Sequence, residues 1–217
     1  MILLALCTSG PAASAALIVD GSPVLQKLAS IGLTHSETIM PLIDSLLCEN
    51  SLRPCDVDVF AADIGPGSFT GVRIGVCAAN AMAAACKKPV VGVSSLEALC
   101  FGQTAQSVCA LLDCRNGNGY AMHYIDGKVF LPPSAVVIDT LLHSIPSETL
   151  FVGDHALHRE LILSNVSGAR FGSSMLTADM TAAAAWSKFA AGESTNEILP
   201  LYLRPSQAER LHKEMKE

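Results

Sequence analysis

Charge is scarce in this chain. Only 16% of its 217 residues are Asp, Glu, Lys or Arg, and the net charge is −6. A protein that grips nucleic acid unaided shows a basic patch or stripe, so independent nucleic-acid binding is excluded and any RNA must be held mainly by another subunit. Phosphate signatures are missing as well. Gly65, Gly67 and Gly71 miss the GxGxxG spacing, and no Gly-Lys-Ser/Thr makes a P-loop. No GxSxG elbow presents a nucleophile. The eight cysteines (Cys7, Cys48, Cys55, Cys77, Cys86, Cys100, Cys109, Cys114) contain no CxxC and no zinc-ligand spacing. Most lie in apolar runs, where free cysteine behaves as a small buried hydrophobe. The expectation is a reducing cytoplasm with no disulfide, no zinc and no other metal. The N-terminal MILLALC lacks a basic region and is too short for a signal. Arg73 and Asn80 interrupt the best membrane-span candidate, so no membrane association is expected.

What is present is apolar. Half of the residues are hydrophobic, which is high for a surface facing only water and favours a partner. The chain is organised around Ile64 to Cys86, IGPGSFTGVRIGVCAANAMAAAC, where a glycine-rich turn follows the apolar run Val57 to Ala62 and opens a helix. Ser68 or Thr70 can cap that helix, and Lys87, Lys88 and Pro89 end it. Its residues are apolar nearly all round, so it is buried or covered by something. Gly71, Gly75, Ala79 and Ala83 recur every fourth residue, a stripe that lets another helix approach closely. Two readings stay open here: a core helix on its own sheet, or an interface between chains.

Ile2 to Cys7, Ala15 to Val19 and Val24 to Ala29 read as a strand meander, with Asp20-Gly21 as a hairpin turn. Thr34-x-x-Glu37 has the form of a capping box and opens a helix that Pro41 should kink. The fourth strand, the small-residue helix, a fifth strand at Val90 to Val93 and a helix at Ser94-x-x-Glu97 follow. The second half repeats the order, with strands at Val108 to Asp113, Tyr120 to Tyr124, Val129 to Leu131, Leu150 to Val152 and Arg170-Phe171. Its helices are expected near Asp139 to His143, His155 to Leu163 and Met180 to Ala191, then an extended stretch at Ile198 to Leu203. The expected fold class is therefore α/β: an actin-like (ASKHA) duplicated RNase H-like fold with two βββαβαβα lobes. The lobes are 1–104, carrying the partner-binding helices, and 105–217, whose closing helix 206–216 can pack back on the first lobe. In nucleotide-binding members of that superfamily, the turn after each lobe's first strand cradles phosphate. Here those turns are vestigial, with Thr8, Ser9 and Gly10 in one lobe and Asp113 and Arg115 in the other. Cys7 stands where an acid would match Asp113, although Asp113 can also simply cap its own turn.

GPGSFTGVRIG at Gly65 to Gly75 resembles the signature of the TsaB family, also called YeaZ. His35-Ser36-Glu37 with Pro41, GVSSLEAL at Gly92 to Leu99, LLDCRNGNGY at Leu111 to Tyr120 and LPLYLRP at Leu199 to Pro205 extend the likeness over nearly the whole chain. The resemblance implies a non-catalytic scaffold, not an enzyme on its own, that pairs with its catalytic paralogue TsaD. With the ATPase TsaE, that assembly transfers threonylcarbamoyl to the adenosine next to the anticodon in tRNA. ATP is used by the complex and bound by no site of this subunit alone, and tRNA is met only through the complex. The intersubunit surface, serving a homodimer or the TsaD pair, is implied to comprise His35, Glu37, Ile39, Leu42, Ile43 and Leu46 on one helix. On the other it comprises Gly67, Phe69, Thr70, Gly71, Val72, Ile74, Gly75, Ala78, Ala79 and Met82. Where the family usually has Asp and Glu, this chain has Cys7 and Asn118, which is expected to subtract acids from the cleft. The rival classes are a small-molecule kinase or ATPase of the actin-like superfamily and a peptidase using Ser9, Ser68, His35 or His123.

Overall fold

The computed structural model describes residues 1–29 and 32–204. Strands β1 (Ile2–Cys7), β2 (Ser14–Val19) and β3 (Ser22–Leu28) form a meander, followed by α1 (His35–Glu49), β4 (Val59–Asp63), α2 (Phe69–Cys86), β5 (Val90–Val93) and α3 (Ser95–Cys100). The order then repeats as β6 (Ser107–Asp113), β7 (Asn118–Ile125), β8 (Lys128–Val137), α4 (Ile138–Leu142), β9 (Leu150–Gly153), α5 (Arg159–Asn165), β10 (Arg170–Phe171) and α6 (Ala178–Ala190). The βββαβαβα plan is present twice. Both sheets share one order, β3-β2-β1-β4-β5 and β8-β7-β6-β9-β10. In each, the first strand is antiparallel to the second and parallel to the fourth. Asp20 and Gly21 both take positive φ, 49° and 81°, the geometry that a two-residue hairpin requires.

The core follows from the period of two along a strand. Leu4 and Leu6 of β1 pack with Ile39, Ile43 and Leu46 of α1 and Val72, Val76 and Ala79 of α2. Leu3, Ala5 and Cys7 face the other way, into a core shared with Ala178, Ala182 and Ala185 of α6 and with Val108 and Ala110 of β6. The first sheet is thus covered on both faces, and α6 crosses back from the second half to cover one of them. The segment after α6 also joins the first half, because Thr195 bridges Val90 and the Leu201 N–H donates to the Ile64 carbonyl at 2.7 Å. The expected closing helix 206–216 lies outside the described residues.

Several local expectations give way. Thr34 caps α1 without a side-chain hydrogen bond, so the capping box with Glu37 is not made. The helix is a single element through Pro41, which is exposed beside the exposed Glu37, so the carbonyl that loses its amide partner has access to water. Strand β8 extends past Leu131 through Pro132 and Pro133, tolerable because it is an edge strand. The helix expected from His155 divides into a 3-10 turn at Asp154–His158 and α5.

Candidate functional site

The glycine-rich turn is built against the end of β1. A Cβ on Gly67 would stand 2.6 Å from Ser9 Cβ; on Gly71, 2.0 Å from the Thr8 carbonyl oxygen; on Gly75, 2.3 Å from Thr8 Oγ1. These approaches exclude any side chain. The Ser68 N–H donates to the Ser9 carbonyl at 2.8 Å, Ser68 Oγ caps α2 by accepting from the Gly71 N–H at 3.2 Å, and Thr8 Oγ1 donates to the Gly71 carbonyl at 2.7 Å. His35 Nε2 donates to the Gly10 carbonyl at 2.9 Å. The motif therefore clamps α2 and α1 onto the β1–β2 turn.

That packing corrects part of the expected interface. Gly71, Val72, Gly75 and Ala79, together with Ile39, Ile43 and Leu46, are buried within this chain's own core, so the small-residue stripe belongs to the core reading. His35, Leu42, Ile74, Ala78 and Met82 remain half-exposed, and Glu37, Gly67, Phe69 and Thr70 exposed. The outward face of α2 also contains residues that the sequence reading passed over. Cys77, Ala81, Ala84 and Ala85 are exposed, and with Thr70 and Ile74 they form an uncharged strip along the helix. Of the 18 residues of α2, six are buried. By length and composition alone it could cross a membrane, a test that the core helix of a soluble protein also passes. Its two interrupting polar residues have another use. Asn80 accepts from the Ile198 N–H at 3.0 Å and donates to the Ile198 carbonyl at 2.9 Å. Arg73 Nε donates to the Tyr202 hydroxyl at 2.7 Å while its guanidinium stacks 3.8 Å from the Phe69 ring centroid. Both residues hold the segment after α6 across α2.

A cleft of about 970 Å³ lies between the halves, lined by Ser9, Gly10, Gly67, Ser68 and Phe69 on one side and Asp113, Arg115, Tyr120 and Asp154 on the other. Four of the five expected phosphate-turn residues meet here. Thr8 does not, being wholly buried under α2. Strand register also corrects the equivalence of Cys7 with Asp113. Leu4 pairs with Phe60 and Cys109 with Phe151, so in the repeated plan Thr8 matches Asp113, Asp63 matches Asp154, and Cys7 matches Leu112. The hydrogen bonds agree: the Thr8 N–H donates to Asp63 Oδ1 at 3.0 Å, and the Asp113 N–H donates to Asp154 Oδ2 at 2.9 Å. A shift of one residue turns a side chain to the other face. Cys7 accordingly lies in the core with its Sγ 3.8 Å from the Leu176 carbonyl, and burial pushes its thiol well up. Asn118 is not in the cleft either; its Oδ1 accepts from Arg204 Nη2 at 2.7 Å. Neither departure from the family pattern therefore removes an acid from the cleft lining.

Asp63 escaped the sequence reading, which ended β4 one residue early. The signal was the repeat Phe60-x-x-Asp63 and Phe151-x-x-Asp154. Asp63 is wholly buried and also accepts from Ser95 Oγ at 3.2 Å; burial raises its carboxyl above the ordinary range despite these donors. Burial likewise raises Asp154. Asp113 has both oxygens engaged within the chain, by His158 Nε2 at 2.9 Å and the Arg115 N–H at 3.0 Å. No group of three or more His, Cys, Asp or Glu suited to a metal exists among the described residues. Neither candidate histidine is hydrogen-bonded to Ser9 or Ser68: His35 holds Gly10, Ser68 Oγ caps α2, and His123 is buried against Ser107 and Phe130. The cleft can receive a polar small molecule, but Asp154 is committed to the end of β6 and Asp113 to His158 and the Arg115 N–H.

Comparison with known proteins agrees with the geometry. Residues 30–135 match the family model described as "TsaD: tRNA N6-adenosine threonylcarbamoyltransferase". The chain is 37% identical over 134 residues to the tRNA threonylcarbamoyladenosine biosynthesis protein TsaB of Haemophilus influenzae, an alignment covering 59% of this chain and just 56% of that protein. It is 31% identical over 172 residues to the TsaB protein of Bacillus subtilis, covering 75% of each. Among solved structures, YeaZ from Pseudomonas aeruginosa superposes with a TM-score of 0.76 at 30% identity, covering 93% of this chain and 99% of that one. With the duplicated actin-like fold, the β1-clamping glycine motif and these relatives together, the chain belongs to the TsaB (YeaZ) family.

Proposed function

We propose that the chain is a non-catalytic subunit in tRNA threonylcarbamoyladenosine synthesis, pairing through the outward faces of α1 and α2 with a TsaD-type catalytic paralogue. The observation that carries this reading is α2 itself, an 18-residue apolar helix of which only a third is buried. An apolar face of that kind is covered by a partner or a membrane. Its inner side is already packed on the sheet and Asn80 and Arg73 already hold the segment over it, which favours a protein partner in the cytoplasm over a bilayer. In this reading the subunit contributes shape and surface. The TsaD-type partner supplies the chemistry, a TsaE-type ATPase uses ATP, and tRNA is met through the assembly. A homodimer through the same face competes with the paired state.

A second reading, a small-molecule kinase or ATPase of the actin-like superfamily, is favoured by the size of the cleft. Against it stand the Asp113 and Asp154 carboxylates, which hold backbone and His158. The test supplies threonylcarbamoyl adenylate, ATP and tRNA and measures ATP turnover and threonylcarbamoyl transfer by the chain alone, by TsaD and TsaE alone, and by the three together. The proposal expects transfer only in the full mixture and negligible turnover by the chain alone. Robust magnesium-dependent turnover by the chain alone overturns it.

A further inference from the structure

The fold brings together two thiols that the sequence keeps far apart. Cys55 is the middle residue of a 3-10 turn, Pro54–Asp56, just before β4, and Cys86 is the last residue of α2. Their sulfurs are 2.9 Å apart and both thiols are free. A disulfide bond is about 2.05 Å long, so an approach of roughly 0.9 Å joins them. Both elements are fastened locally. Arg53 and Asp56 close the turn with a 3.0 Å ion pair and a 2.8 Å bond from the Arg53 N–H to Asp56 Oδ2. At the helix end the Lys88 N–H donates to the Ala83 carbonyl at 2.9 Å, and Lys88 Nζ pairs with Asp58 at 3.0 Å, tying the end of α2 to the start of β4. Cys55 is exposed and Cys86 half-exposed, whereas Cys7, Cys100 and Cys109 are buried.

We propose that Cys55 and Cys86 are a modification site, a thiol pair that a peroxide converts reversibly into a disulfide locking the start of β4 to the end of α2. The Cys55 thiolate attacks one oxygen of hydrogen peroxide, breaking the O–O bond and giving Cys55 sulfenic acid and hydroxide. Cys86 sulfur then attacks the Cys55 sulfur, forming the S–S bond; the sulfenic oxygen leaves as water with the proton from Cys86. Two thiols are oxidised by two electrons and one peroxide is reduced to two waters. Cys55 is the more exposed of the two and meets the oxidant first, while burial first, and the neighbouring Cys55 second, push the Cys86 thiol up. A cytosolic disulfide of this kind is redox-responsive, not permanent. The cysteine spacing concealed the pair because 30 residues separate its members; the contact arises from the β4–α2 crossover.

The experiment treats the reduced full chain with graded hydrogen peroxide, blocks remaining thiols with iodoacetamide, and maps peptides without reductant. The expected result is a Cys55–Cys86 linked peptide, two fewer alkylatable thiols, reversal by dithiothreitol, and a melting temperature several degrees above that of the reduced protein. C86S is expected to stop at a Cys55 sulfenic acid that dimedone traps, and C55S to give no linked peptide. The doubly substituted C55S/C86S chain should melt like the reduced parent and gain nothing from peroxide. Eight alkylatable thiols after treatment overturn the proposal, as does oxidation confined to the exposed Cys48 and Cys77 with Cys55 and Cys86 still reduced.

Discussion

Replacing Gly75 separates the core and interface roles of α2 by sign as well as size. A Cβ at this position would lie 2.3 Å from Thr8 Oγ1, which itself donates to the Gly71 carbonyl at 2.7 Å. Even alanine must push Thr8 aside. On an exposed helical site glycine to alanine stabilises by about 1 kcal/mol; here the clash should reverse the sign. Leucine adds overpacking, about 1 to 3 kcal/mol, and breaks a buried hydrogen bond, about 1 to 3 kcal/mol more. For a chain of this length about 1 kcal/mol shifts the melting temperature by about 2 to 4 °C, so Gly75→Leu should melt roughly 4 to 24 °C early. Circular-dichroism melts beside sedimentation velocity are the assay. A Gly75→Leu chain that melts normally and fails only to pair would refute the packing described here, and so would a Gly75→Ala chain that melts higher than the parent.

Three other substitutions test separate contacts. Asp63 has a folded pKa raised by burial, so its contribution to stability is fully present below its unfolded pKa near 3.8 and is lost as pH rises through the folded value. Asp63→Asn, which can still accept from the Thr8 N–H, should therefore melt at or above the parent at pH 7, the difference shrinking as pH falls toward 4; a variant that melts lower by the same margin at both pH values contradicts this. Asn80→Leu removes both hydrogen bonds to Ile198 and should speed proteolytic cleavage within 195–204 severalfold while the sheets melt nearly unchanged, and unaltered cleavage would count against the clamp. Asn118→Glu places a carboxylate beside Arg204 Nη2 and should raise stability by at most about 1 kcal/mol, an increment that salt removes; a drop in melting temperature at low salt would oppose it.

The duplicated topology was legible because most strands contain a short apolar run bounded by turn residues, and because the order βββαβαβα recurs. Asp20-Gly21 and the Val90 to Val93 strand show how local those signals are. The cleft was legible in outline, through Ser9, Gly10, Asp113 and Arg115. What could not be read was orientation. The four-residue stripe on α2 is equally suited to a partner helix and to the Thr8 backbone, and only the closeness of that backbone decides between them. The match of Cys7 to Asp113 failed by one residue, enough to move a side chain from cleft to core. Contacts made by chain crossing, such as Asn80 with Ile198 and Cys55 with Cys86, leave no trace in local sequence.

The central claim, that the outward strip of α2 is the partner surface, is tested most directly by Ala81→Glu. Ala81 is exposed, so the substitution should leave the melting temperature of the isolated chain within about 1 or 2 °C of the parent. A carboxylate buried without a partner in an apolar contact costs several kcal/mol, and about 1.4 kcal/mol is tenfold in affinity. Sedimentation velocity of the variant mixed with a TsaD-type partner should therefore show pairing weakened by at least about a hundredfold. A normally folded Ala81→Glu chain that pairs as tightly as the parent would contradict the account.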